Sequence, residues 1–72
     1  MASHITRIAI GTINDVNRRF ETIVSYRPGT VHALLNGQWL DFDQWSELGG
    51  NEILMTDAPR VGDVLQIQFI PV

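Results

Sequence analysis

Hydrophobic and polar positions alternate with period two along most of the chain. Gly, Pro, Asn and Asp interrupt the alternation at spacings of about 8–12 residues, as in an all-β sandwich or barrel. The cleanest run is residues 64–70, where Leu65, Ile67 and Phe69 point one way and Gln66 and Gln68 the other. Pro71 ends it, because proline cannot donate to a ladder. Residues 52–56 split in the same way, Ile53 and Met55 against Leu54 and Thr56. Residues 18–26 predict a longer strand, with Phe20, Thr22, Val24 and Tyr26 opposed to Arg19, Glu21, Ile23 and Ser25. Residues 1–13 alternate loosely and are rich in β-branched side chains, which favours a strand or an arm that orders against a partner. Residues 43–48 read as a short strand or a loop entering one, with a helix capped by Asp43 as the competing reading. The expected fold is all-β: a small antiparallel β-sandwich or partly open barrel of about six to seven short strands. A strand or arm over residues 1–13 would precede a single β domain over residues 14–72.

The pattern centres on Asn36-Gly37, which lies between two alternating runs. A two-residue type I′ turn needs positive φ at both central positions, and Asn-Gly tolerates it best. The turn fixes a register: Leu35 opposite Gln38, Leu34 opposite Trp39, Ala33 opposite Leu40, His32 opposite Asp41 and Val31 opposite Phe42. Val31, Ala33, Leu40 and Phe42 then form the expected core face. His32, Leu34, Trp39 and Asp41 form the other, and its Trp and Leu call for a cover. Arg27-Pro28-Gly29 predicts a type II turn, with Pro28 setting φ and Gly29 taking the left-handed position. Pro59 and Gly62 punctuate a loop over residues 57–63.

Composition narrows the functional classes. Seventy-two residues bury only about 60% of their unfolded surface. Without cysteine there is no disulfide staple or thiolate, and oligomerisation is the remaining common source of stability. The net charge is −3, and all five basic residues are arginines. No basic stripe exists to track a phosphate backbone, so nucleic acid is not an expected partner. No apolar run approaches the roughly 20 residues of a membrane-spanning helix, so a membrane is not one either. The N-terminal residues lack a cationic segment followed by an apolar one, and cytoplasmic synthesis is expected.

His32 opposite Asp41 is the one pairing of catalytic residue types, and its nucleophile would have to come from elsewhere. A cross-strand ion pair worth up to about 1 kcal/mol is the simpler reading. His4 and His32 lack metal-ligand spacing, and Asp41, Asp43 and Glu47 lack the residue ladder of a calcium loop. No glycine-rich phosphate loop is present. No catalytic, metal or cofactor-binding residue is therefore expected, and the chain does not read as an enzyme. Trp39 and Trp45 are the remaining candidates. Trp45 suits the core of so small a domain, Trp39 suits a protein contact, and together they could stack on a sugar.

Several short motifs follow one another along the chain: Tyr26-Arg27-Pro28-Gly29-Thr30-Val31, Leu35-Asn36-Gly37, Asp43-Gln44-Trp45-Ser46-Glu47, Ala58-Pro59 and Gly62-Asp63-Val64-Leu65. In that order they resemble a small β-sandwich module of tailed-bacteriophage structural proteins, of the tail-fibre or virion-appendage type. The resemblance spans residues 18–70, with Trp45 where a Tyr is usual. It implies a virion protein assembled in the host cytoplasm, without catalysis or cofactor: a decoration, collar or tail subunit. Its implied partners are further copies of itself, a trimer being one such state, and other virion proteins. The expected contact residues are Leu34, Trp39, His32, Asp41, Ile23 and Leu54. The alternative reading is a module that binds a host surface glycan or receptor through exposed Trp residues.

Overall fold

The computed structural model describes residues 4–72, which form seven short strands in two antiparallel sheets. The strands are β1 (Ile5–Ile8), β2 (Arg19–Glu21), β3 (His32–Leu35), β4 (Gln38–Trp39), β5 (Trp45–Gly49), β6 (Glu52–Met55) and β7 (Leu65–Phe69). One sheet has the order β1-β7-β3-β4 and the other β2-β6-β5. Their inner faces carry alternate residues of the strands. Ala33, Leu65, Ile67 and Phe69 come from the first sheet, and Phe20, Trp45, Ile53 and Met55 from the second. Val31 and Tyr26 complete the core, and Ile5, Ala9 and Ile13 pack against its margin. The expectation for residues 1–3 lies outside the described residues, whereas Ile5–Ile8 pair with Gln66–Phe69 of β7.

The two sheets are joined at their corners. Beyond β1, Ile10 exchanges both backbone hydrogen bonds with Glu21, so the chain passes from the edge of one sheet to the edge of the other. The strand expected over residues 18–26 stops at Glu21. The Thr22 hydroxyl donates to the Val24 carbonyl, offering the backbone a local partner in place of the ladder. Thr22 and Tyr26 both remain buried, their amides donating to the Asn51 and Gly50 carbonyls, while Ile23 and Val24 loop outward. Val24 therefore does not share the buried face of Phe20.

The central hairpin has the expected turn and register. Asn36 and Gly37 have φ of 53° and 83°, Leu34 pairs with Trp39 and Leu35 with Gln38, and the Leu40 amide donates to the Ala33 carbonyl at 2.9 Å. Beyond Leu40 the expected pairing fails. Asp41 turns the chain into a 3-10 turn over Phe42–Gln44, where the Gln44 side chain accepts from the Asp41 amide and the Gln44 amide donates to the Asp41 carbonyl. Phe42 is consequently 72% exposed rather than in the core, and Asp41 rather than Asp43 is the capping residue. Residues 45–49 then enter the sheet as β5, so the helical reading does not hold. The Pro28-Gly29 turn closes as expected, with the Thr30 amide donating to the Arg27 carbonyl and Gly29 at φ 82°.

Side chains fasten the loop over residues 57–63 to the hairpin tip. Asn36 donates through its amide to Asp63 and accepts from the Val64 amide, while Asp63 also accepts from the Arg60 amide. Pro59 is buried, and Asp15 binds the Val61 amide from the far side of the loop. The Asn36 hydrogen bond, followed by the Arg60 amide and then the Arg60 charge, holds the Asp63 carboxyl below the ordinary aspartate range. A depressed folded-state value gives stability that is present above the unfolded value and lost as pH falls through the folded one. Denaturant midpoints of the native chain and Asp63→Ala should therefore differ at neutral pH and converge in acid. A gap that stays constant across that range would refute the clamp.

Candidate interaction surface

The strand order assembles a continuous outer face on the four-stranded sheet. Pairing aligns Ile8, Gln66, Leu34 and Trp39 in one row across β1, β7, β3 and β4. Thr6, Gln68 and His32 form the adjacent row, and the Gln68 amide lies 3.4 Å from the Thr6 hydroxyl. Alternation turns all seven side chains away from the core. None carries a formal charge, although the chain holds five basic and eight acidic residues. Ile8 and Trp39, at the two ends of the first row, are 68% and 59% exposed. The outer face of the other sheet differs in kind. It bears Arg19, Glu21 and Glu52, with an Arg19–Glu52 ion pair at 3.6 Å.

At one margin of the uncharged face the aromatic rings cluster. The His32 ring lies 4.5 Å from Trp39, 5.7 Å from Phe42 and 6.0 Å from His4, centroid to centroid and tilted. Phe42 continues the series to Trp45 at 5.8 Å. Tilted rings at these separations are in the attractive range. Trp45 itself is buried in the core, and its Nε1 is without a hydrogen-bond partner among the described residues. The pair of tryptophans is therefore divided: Trp39 faces outward and Trp45 inward.

Of the expected contact residues, the structure brings together Leu34, Trp39 and His32. Asp41 has left the ladder for the 3-10 turn and forms no ion pair with His32, since Arg19–Glu52 is the one ion pair among the described residues. Leu54 sits on the charged outer face of the other sheet, paired with Arg19 and Ser46, and Ile23 projects from the loop after β2. Neither shares a face with Trp39. Glu47 is held to the Pro28-Gly29 turn, where both its carboxylate oxygens accept from the Gly29 amide at 3.0 Å. No group of His, Asp or Glu suited to a metal occurs among the described residues, and no helix there is long and apolar enough to cross a membrane.

A separate cleft of about 210 Å³ opens at the end of the sandwich beside the clamped loop. Leu35, Leu40, Met55, Ala58 and Pro59 form its apolar lining, with Gln44, Asp57, Arg60 and Asp63 as the polar groups. Reading the sequence alone misses the contribution of Ile8, Thr6, Gln66 and Gln68 to the uncharged face. Their alternation reveals that they share sides of strands, but the β1-β7-β3 order is what makes them neighbours. It also misses His4 and Phe42 in the aromatic cluster. The chain matches no protein-family model, no curated protein and no solved structure.

Proposed function

We propose that the protein is a non-enzymatic structural subunit that works by docking the uncharged outer face of its four-stranded sheet onto neighbouring protein. The observation that carries this reading is the charge-free row Ile8–Gln66–Leu34–Trp39, apolar at both ends, on a chain whose opposite face is charged. Protein contact sites are depleted in charge at their centre and enriched in exposed aromatic side chains. The likeness of the turn pattern to tailed-phage structural modules supports a virion as the assembly, as a decoration, collar or tail subunit put together in the host cytoplasm. Its partners are copies of itself and other virion proteins.

Trp39→Ala is expected to lower the assembled mass read by light scattering while the chain stays folded. Trp39 is more than half exposed and lies outside the core, so its loss removes mainly the ring contact with His32, worth about 0.5–1.5 kcal/mol. An unchanged mass would overturn the interface. A second reading is favoured by the exposure of both Trp39 and Phe42 on either side of His32: an aromatic platform for a host surface glycan. It predicts a change in Trp fluorescence on titration with such glycans, and a flat titration rejects it.

A further inference from the structure

We infer that the occupant of this face is a second copy of the chain, packed sheet against sheet about a two-fold axis running along the row Ile8–Gln66–Leu34–Trp39. The inference rests on the assembly reading above and specifies its geometry. An isologous contact sets each residue near the axis against its own copy, so a charged side chain there would meet an identical charge. The row contains none, whereas an axis along the Glu21–Glu52 row of the other sheet would set carboxylates against their like. Gln66 satisfies the same requirement positively, because its amide carries both donors and an acceptor and can pair with itself. With the axis along the row, Ile8 meets Ile8, Leu34 meets Leu34 and Trp39 meets Trp39, apolar on apolar. An axis parallel to the strands would instead lay Gln66 over Leu34. Two antiparallel sheets stacked in this way keep their strands within about 30° of each other, the usual aligned packing.

The native chain has no cysteine, so single introduced thiols report the geometry without background. Stacked sheets lie about 10 Å apart, within reach of a short bismaleimide. Gln66→Cys, and independently Ile8→Cys, should be converted by it to a covalent dimer of twice the 8.1 kDa chain mass. Arg7→Cys, on the same strand but the opposite side, should remain largely monomeric. Each variant is first checked for native circular dichroism, and the second serves if the first fails to fold. An assembled native protein whose two face variants cross-link no better than Arg7→Cys overturns the two-fold arrangement and leaves the assembly reading standing. A native protein that stays at monomer mass at millimolar concentration overturns the self-contact, and with no other binding protein for the face it removes the assembly reading as well.

Discussion

Gly11→Ala should cost the fold about 2–6 kcal/mol and lower its melting temperature by about 8 °C or more, at about 4–8 °C for each kcal/mol in a domain of this size. Gly11 follows Ile10, whose two hydrogen bonds to Glu21 join the sheets, and its φ is 151°. A Cβ there would stand 2.6 Å from Phe20 Cδ1, 3.1 Å from Cε1 and 3.3 Å from the Arg19 carbonyl oxygen. Phe20 is 1% exposed and has no room to retreat. Overpacking a core of this kind costs about 1–3 kcal/mol, and placing an L-residue in a region suited to glycine adds about 1–3 more. Total stability for a chain this short is about 4–11 kcal/mol, so the substitution removes a large part of it. Gly49→Ala separates the two terms: its φ is 97°, but no atom lies within 4 Å of the added Cβ. Chemical denaturation of both variants measures the difference, and equal losses would mean that Phe20 yields without cost.

The parts of this fold that were legible in the sequence are those set by neighbours along the chain. The type I′ turn follows from Asn36-Gly37, and the register of Leu34 with Trp39 follows from the turn. The inward set of β7 follows from its alternation. What stayed hidden depends on contacts between distant residues or on competing local hydrogen bonds. The period-two pattern runs unbroken through Thr22 and Val24, but the Thr22 hydroxyl takes the Val24 carbonyl and ends the strand. Phe42 continues the apolar pattern of β4, but the Asp41–Gln44 bonds wind the chain into a turn and leave the ring outside. The candidate face divides along the same line. Leu34, His32 and Trp39 could be assigned to it from one hairpin, whereas Ile8 and Gln66 join it only because β7 pairs with both β1 and β3. Asp41 is placed beside Trp39 by extending the hairpin register past Leu40, where the Asp41–Gln44 bonds end the ladder, whereas Ile23 and Leu54 join the set as outward apolar residues, a property that does not say which side of the sandwich a residue occupies.

Tyr26→Phe is expected to destabilise the protein by about 1–3 kcal/mol although it removes a single atom, because that atom serves two buried groups. The Tyr26 hydroxyl donates to the Glu52 carbonyl and accepts from the Gly49 amide at 3.0 Å, across the turn that links β5 to β6. The ring is 2% exposed, and phenylalanine keeps its volume, so the loss isolates the hydrogen bonds from the packing. The backbone around it adds a third connection. The Tyr26 amide donates to the Gly50 carbonyl, and the flanking Arg27 and Val72 amides bond to Ile70 and Ser25, tying the end of β7 to the same place. Loosening the hydroxyl should therefore be felt at Gly49 and at Thr22, whose amide donates to Asn51 in that turn. Faster amide exchange at both positions, with β7 still protected, is the expected signature. A uniform acceleration would mean that Tyr26 contributes only to global stability. No change at Gly49 would mean that water replaces the hydroxyl and the corner is held by the backbone alone.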